Sequence, residues 1–313
     1  MLVFCIFADS MQHRYNDFGT WIRMKFPFRV QKISIDAGFS CPNRDGRISY
    51  GGCTFCDNRT FNPFYCDSRQ TVTEQIEEGK AFFSHKYPHM KYLAYFQAYS
   101  NTYAPLNRLR ILYEEALSVP EVIGIVVGTR PDCVSDEVLD YLGELSKSTF
   151  VLLELGIEST NDVTLRRINR GHTFAESVKA VRAAHDRNIL VGGHIILGLP
   201  GEDRADILKQ ASVVSALPLD ILKLHQMQII RGTVLAKQYE VTPFHVFTVE
   251  EYITLIGDYI QLLRRDLVLD RFVSQSPSDM LIAPQWGVKN HEFTDLLNNY
   301  LNRNNICQGS KAV

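Results

Sequence analysis

Residues 32–56 read KISIDAGFSCPNRDGRISYGGCTFC. The stretch opens with Lys32–Ala37, brief, rich in isoleucine and closed by Gly38, which predicts a β-strand. Three thiols, Cys41, Cys53 and Cys56, crowd into the loop behind it. Further along, Tyr92–Ala98, Val122–Gly128, Phe150–Gly156, Leu190–Leu197 and Ile221–Ile229 have the same character: short, apolar, β-branched or aromatic, and bounded by Gly, Pro, Asn or Asp. Several lack polar alternation, which suits parallel strands covered on both faces. Segments of helical period run between them. Thr71 with Glu74, Thr173 with Glu176 and Thr248 with Glu251 have the spacing by which a hydroxyl and a carboxylate satisfy the free amides of a first turn, and Ser135 is placed to cap another helix. Six β–α units in succession imply right-handed crossovers and a parallel sheet that curls toward a barrel, short of the eight units of a closed one. The expected fold is therefore α/β, a partial (β/α)6 TIM-like barrel. In such a sheet the chemistry sits at the carboxyl ends of the strands, which is where the first loop puts its three thiols.

The chain has 313 residues, 45% apolar and 22% charged, the balance of a globular protein able to bury a core. Basic residues number 33 and acidic ones 35, giving −2; this excludes a globally basic nucleic-acid binder and leaves a local basic face open. Seven cysteines, an odd count in a chain this long, point to a reducing cytosol and a thiolate site rather than a disulfide framework. Leu2–Phe7 is apolar, but it is short, lacks a preceding positive charge and is followed by Asp9, so it does not read as a signal peptide. No later run reaches the ~18 apolar residues of a spanning helix. A cytoplasmic protein without membrane contact is expected, with Met11 an alternative start to Met1. Three parts are expected: an N-terminal segment 1–30, a barrel core 31–235, and a helical C-terminal extension 236–313 packed on the barrel. The extension's main helix carries an apolar stripe of Val249, Tyr252, Ile253, Ile256, Tyr259, Ile260 and Leu263.

The cysteine loop admits three readings. A C-x2-C pair, Cys53 and Cys56, chelates one metal centre, and the glycine-rich excursion holding Gly46, Gly51 and Gly52 lets the chain bring in Cys41. Three thiolates leave one iron of a four-iron cluster without a protein ligand, and an open metal position is where a substrate or cofactor binds. Alternatively, Cys66 completes a four-thiolate structural zinc, or the cysteines are incidental.

Later strand ends carry further motifs: Tyr95-Phe96-Gln97-Ala98-Tyr99, Gly128-Thr129-Arg130-Pro131-Asp132-Cys133, Glu154-Leu155-Gly156-Ile157-Glu158, Asn169-Arg170-Gly171-His172, Gly198-Leu199-Pro200-Gly201-Glu202 and Leu222-Lys223-Leu224-His225. With the cysteine loop, these resemble radical S-adenosylmethionine (SAM) proteins, most closely a bacterial group of the YhcC type. The resemblance covers nearly the whole chain. The first cysteine gap departs from the commonest C-x3-C-x2-C spacing and matches that group. Thr129-Arg130-Pro131-Asp132, Asn169-Arg170-Gly171-His172-Thr173 and Ile230-Arg231-Gly232-Thr233 also look like the radical SAM half of the Elongator catalytic subunit, which modifies wobble uridine in tRNA; there is no stretch here long enough for its acetyltransferase domain.

The resemblance implies that Cys41, Cys53 and Cys56 ligate a [4Fe-4S] cluster whose fourth iron is chelated by SAM. One electron, supplied by a reductant such as flavodoxin or ferredoxin, then cleaves SAM to methionine and a 5′-deoxyadenosyl radical that abstracts hydrogen from a substrate. It places Phe55 near the adenine, with a hydrophobic plug as the plain alternative. It assigns Glu158 and Ser159 to a ribose hydroxyl or the methionine moiety, against a helix cap. Gln97 and Ser100 are assigned to the SAM amino group, against ordinary turn polarity. Arg130 and Arg170 clamp a carboxylate or phosphate, or form ion pairs with Asp132 and Glu158. Gly198 and Pro200 shape the rim where SAM approaches. His194 and His225 read as satisfied core histidines, with substrate contact as the alternative; Cys133 reads as a small buried hydrophobe, against a hydrogen-atom donor facing the substrate, and Cys66 as a free thiol.

For the substrate, residues 12–32 hold Arg14, Arg23, Lys25, Arg29 and Lys32 interleaved with Tyr15, Phe18, Trp21, Phe26 and Phe28, a pattern that suits RNA; the alternative packs those aromatics under the barrel with the charges in water. Two other classes compete with a radical SAM enzyme: a non-catalytic zinc- or cluster-bearing binding module, and a cluster protein that only transfers electrons. Polar residues at successive strand ends disfavour the first, and the second would not need an open iron or a SAM cradle.

Overall fold

The computed structural model describes residues 14–60, 62–85 and 89–312, so Leu2–Phe7, Met1 and Met11 lie outside the described residues. Nine strands occur among them: β1 (Val30–Ile35), β2 (Lys91–Phe96), β3 (Val122–Thr129), β4 (Phe150–Glu158), β5 (Leu190–Leu197), β6 (Ile221–Gln226), β7 (Ile229–Ile230), β8 (Val268–Arg271) and β9 (Leu281–Ala283). The helices are α1 (Phe18–Lys25), α2 (Val72–Ser84), α3 (Leu106–Ser118), α4 (Asp136–Leu145), α5 (Asp162–Arg167), α6 (Phe174–His185), α7 (Arg204–Ser215), α8 (Val234–Val241), α9 (Val249–Gln261) and α10 (Asn290–Arg303). Seven strands form one sheet in the order β1-β2-β3-β4-β5-β6-β8, and every neighbouring pair is parallel. The sheet curls into a half-barrel with β1 and β8 as its edges.

Six of these strands are the ones the sequence predicts. The sixth stops at Gln226, and Ile229–Ile230 leaves to pair antiparallel with β9. A seventh parallel strand, β8, comes from the extension; its four residues, Val-Leu-Asp-Arg, are too few and half too polar to signal a strand by themselves.

Strand alternation explains why the sheet curls around a polar interior. On the outer face Ile33, Ile35, Ile125, Val127, Val151, Leu153, Leu155 and Ile157 are buried against the helices in one large core, each such side chain contributing about 1.5–3 kcal/mol. The alternate residues point inward in layers. The lowest is apolar, with Leu93, Val126, Leu152, Ile221 and Val268. Above it β1, β4, β6 and β8 contribute Lys32, Glu154, Lys223 and Asp270, joined in one ion-pair network. Strand β4 thus has one continuous apolar outer face and one inner face that turns charged at Glu154.

Helix starts follow the local code. Thr71, Thr173 and Thr248 make the reciprocal cap with Glu74, Glu176 and Glu251, and Ser135 accepts from Val138 N, each cap stabilising by about 1 kcal/mol. Helix α9 buries its stripe, including Tyr252, Ile256, Tyr259 and Ile260. The N-terminal segment closes the lower end of the barrel: Trp21 of α1 meets Phe18 and Phe150, and Phe26 meets Phe28 and Phe150. Its aromatics are thus taken up in packing. Arg23, Lys25 and Arg29 remain exposed, and Lys32 is drawn into the interior network.

Candidate active site

A cavity opens at the carboxyl ends of the strands, lined by Cys41, Cys53, Cys56, Phe55, Gln97, Ser100, Arg130, Glu158, Arg170, His194 and His225 among others. The three cysteines of the first loop thus face one space. The loop is held from several sides. Thr54 N donates to Ile168 O at 2.9 Å and Leu235 N to Thr54 O at 2.8 Å. The Asn169 side chain donates to Gly52 O at 2.8 Å, and the Asn43 side chain to Asn169 O. Gly171 sits at φ +79° with Asn43 Oδ1 where a Cβ would lie only 2.6 Å away, so a larger residue there displaces the fastening. The Asn169–His172 motif is therefore a buckle over the cysteine loop.

Arg170 is the hub of that buckle. Its guanidinium reaches Cys53 Sγ at 3.5 Å, Gly156 O and Glu158 at 3.4 Å. Its Nε donates to His172 Nε2 at 3.0 Å. Burial, reinforced by the Arg170 charge, pushes His172 down to about 3, which keeps that ring neutral and able to accept. Burial pushes the Cys56 thiol up to about 11, with Cys53 adding to the effect and Arg44 and Arg170 opposing it. Arg44 also donates to Cys56 O at 2.8 Å. Arg130 pairs with Asp132 through two bonds of 2.9 and 2.8 Å, and its Nη1 is buried with no hydrogen-bond partner among the described residues. The thiols are thus surrounded by three guanidiniums.

The other expected residues divide. Gln97 lines the cavity and donates to Ser34 Oγ at 2.8 Å. Ser100 is fully buried at the cavity wall. Glu158 follows a bulge in β4, where the register passes from Gly156 opposite His194 to Glu158 opposite Ile195. The bulge and a φ of +67° turn its carboxylate to the cavity and Arg170. Phe55 shows one side to the cavity beside Ile196, Met227 and Ile230, and its other side packs with Leu165, Ile168, Leu199 and Leu235.

Ser159, Gly198 and Pro200 do not line the cavity. Ser159 is fully buried, donates to Glu202 and accepts from Asn161 N at 3.0 Å, tasks at the start of α5 where Asn161 is the cap. Gly198, at φ +90°, lies under Phe247, and Pro200 O accepts from Arg167. Cys66 and Cys133 also lie off the cavity, and burial pushes each thiol up to about 12.

His194 and His225, expected in the core, reach the cavity instead. Residues that the sequence reading passed over as ligand-facing accompany them. Glu154 is 1% exposed and is bound by Lys223 at 2.7 Å, Lys32 at 3.3 Å and His194 at 3.0 Å. Burial by itself raises a carboxyl; Lys223 and Lys32 nevertheless hold Glu154 well below its usual range. A charged residue in an apolar strand was the available signal, because a buried charge needs a partner. Beyond β8, Ser274 N bonds Gln226 at 2.8 Å and Ser276 Oγ bonds Gln228 at 2.7 Å, which folds the segment over the cavity.

Residues 43–211 match the model of the radical SAM superfamily, and residues 219–303 that of the radical SAM C-terminal domain. The chain belongs to the radical SAM superfamily. It is 35% identical over 301 residues to YtqA of Bacillus subtilis (strain 168), covering 96% of this chain and 94% of that protein. To YhcC of Escherichia coli (strain K12) it is 36% identical over 302 residues, 96% of each. Among solved structures, archaeal Methanocaldococcus infernus Elp3 with an N-terminal deletion superposes with a TM-score of 0.65 at 16% identity, over 89% of this chain and 64% of that one, which shows the shared half-barrel. Among the described residues of this radical SAM protein no helix is long and apolar enough to cross a membrane.

Proposed function

We propose that the protein is a radical SAM enzyme that holds a [4Fe-4S] cluster on Cys41, Cys53 and Cys56 and cleaves SAM reductively. The observation that carries this is the donor set: three thiols face one cavity, and the two other free cysteines among the described residues, Cys66 and Cys133, do not. A three-thiolate set leaves one iron free for SAM. When bound, the cluster supplies one electron to the sulfonium of SAM, giving methionine and a 5′-deoxyadenosyl radical for hydrogen abstraction.

The chain's own residues do the holding. Arg44, Arg130 and Arg170 offset thiolate and cluster charge, and the Asn169–His172 buckle fixes the loop. Phe55, Ile196, Met227 and Ile230 offer an apolar slot for adenine. Glu158 accepts from ribose hydroxyls, and Ser100 and Gln97 face the methionyl end. Residues 31–235 form the catalytic core and 236–313 complete it with β8. The electron comes from a flavodoxin or ferredoxin.

The spectrum of anaerobically reconstituted protein tests this. A broad visible charge-transfer band is expected, altered by SAM, whereas a zinc thiolate is colourless and would leave a binding module. Cys66→Ala should keep the full iron content and Cys53→Ala should lose it; equal loss in both would revive a four-cysteine site.

We further infer an RNA substrate that docks at the cavity mouth rather than along the N-terminal segment. Arg44 lies 5.7 Å from the Tyr99 ring and Arg47 5.7 Å from that of Tyr103, and Tyr50 of the same cysteine loop is 78% exposed. Paired guanidiniums and rings suit phosphates and unstacked bases, and the Elongator-like motifs agree. Arg47→Ala is expected to reduce the slope of log affinity against log salt by about 0.7–0.9, measured with an RNA hairpin. An unchanged slope would take the rim out of the interface.

A further inference from the structure

The interior network described above does not balance. Three cations, Lys32, Lys223 and Arg271, face two carboxylates, Glu154 and Asp270, in the enclosed part of the half-barrel. Lys32 lies 2.7 Å from Asp270 and Lys223 2.7 Å from Glu154, so each lysine has its own carboxylate. Arg271 is the cation left over. It forms no ion pair among the described residues, and its Nε is buried without a hydrogen-bond partner. Arg271 is half-buried, and a guanidinium withdrawn from water without a counter-charge is stabilised when an anion reaches it.

Its placement is specific. The register of β6 against β8 passes from Leu222 opposite Leu269 to Lys223 opposite Arg271, so Asp270 is the extra residue of a bulge. In a regular strand Asp270 and Arg271 would face opposite sides of the sheet; the bulge turns both toward the interior. Arg271 lines both the cavity of the cysteines and a second cavity at the lateral gap between the edge strands, where Lys32, Ser34, Asn62 and Asp270 also lie. Also lining the first cavity, His225 is paired through Nδ1 to Ser274, and its Nε2 is buried with no hydrogen-bond partner among the described residues. Both residues thus line the first cavity, each with a nitrogen that has no hydrogen-bond partner among the described residues, and Arg271 lines the second cavity as well.

We propose that Arg271 anchors an anionic group of the substrate, a carboxylate or a phosphate, inside the chamber, with His225 Nε2 as a second contact. The guanidinium fork matches either anion through two parallel bonds. The proposal rests on the radical SAM reading only in calling the ligand a substrate; the anion site itself is tested on protein without a cluster.

The experiment is thermal unfolding of cluster-free protein at matched ionic strength in chloride, acetate or inorganic phosphate. For wild type, one of the two test anions is expected to raise the melting temperature by about 2–4 °C at tenfold excess over its dissociation constant. A response to acetate alone identifies a carboxylate site, and one to phosphate alone a phosphate site. Arg271→Gln should melt higher than wild type in chloride, because it removes the uncompensated charge, and should lose the anion response. Arg271→Lys keeps the charge without the fork and should respond more weakly, which preserves the test if the glutamine variant folds poorly. Arg59→Gln, a change on the exposed rim, should respond as wild type does. An anion response equal in wild type and Arg271→Gln, or none in wild type, overturns the proposal. So does a tenfold weaker binding of SAM by reconstituted Arg271→Gln, since the side chain would then hold the SAM carboxylate.

Discussion

Protein carrying Cys56→Ala, reconstituted with iron and sulfide and reduced, is expected to form no 5′-deoxyadenosine from SAM. Cys56 is one of three thiols on the cavity wall, and neither Cys66 nor Cys133 reaches that wall to replace it. The change keeps the main-chain fastenings, because Arg44 binds the Cys56 carbonyl and Cys56 N bonds Cys53 O, and removes the weak contact of the Cys56 thiol with Asn58 Oδ1 at 3.8 Å. Loss of activity should therefore come with loss of iron and of the visible band while the far-ultraviolet circular dichroism and melting temperature of the cluster-free protein stay those of wild type. Turnover at the wild-type rate would remove Cys56 from the ligand set.

Glu154→Ala is expected to lower folding stability by about 3–5 kcal/mol, a large part of the roughly 5–15 kcal/mol that holds a typical domain. The Glu154 carboxylate answers Lys223, Lys32 and His194 at once, and at 1% exposure no water replaces it. Removing it leaves the two lysines with Asp270 as their one carboxylate partner among the described residues. Urea unfolding measures the effect, and a midpoint within experimental error of wild type would show that the network carries no net stability. The same groups set the acid limit. Asp270 is held at about 2: burial opposes ionisation, but Lys32 and Lys223 outweigh it. Glu154 is also depressed. A carboxylate depressed in the folded state stabilises above its unfolded value near ~4, and that contribution is lost as pH falls toward ~2. Burial lowers His194 and His225 as well, so protonation of the unfolded chain begins to cost stability already below ~6.5.

Helix caps and strand positions were legible because their causes are local. A threonine three residues before a glutamate caps a helix whatever lies around it, as at Thr71, Thr173 and Thr248. The three thiols on the first loop were legible for the same reason, as was the burial of the α9 stripe. The resemblance assigned Ser159, Gly198 and Pro200, which follow strand ends, to the site, but a strand end has two sides: Ser159 turned into the start of α5 and Gly198 under Phe247.

The sequence by itself determined the repeating β–α order, the outer apolar face that closes the helices on the sheet, and the loop that carries Cys41, Cys53 and Cys56. All three follow from periodicity and spacing along the chain. Only the tertiary structure decided that β8 joins the sheet, since its short polar strand forms by hydrogen bonding to β6, more than forty residues away in sequence. It alone decided that His194 and His225 face the cavity and that Lys32, Glu154, Lys223 and Asp270 meet in one network. Coulombic pairing inside a barrel depends on which inward positions share a layer, and that is fixed by the curl and register of the sheet rather than by neighbours in the chain.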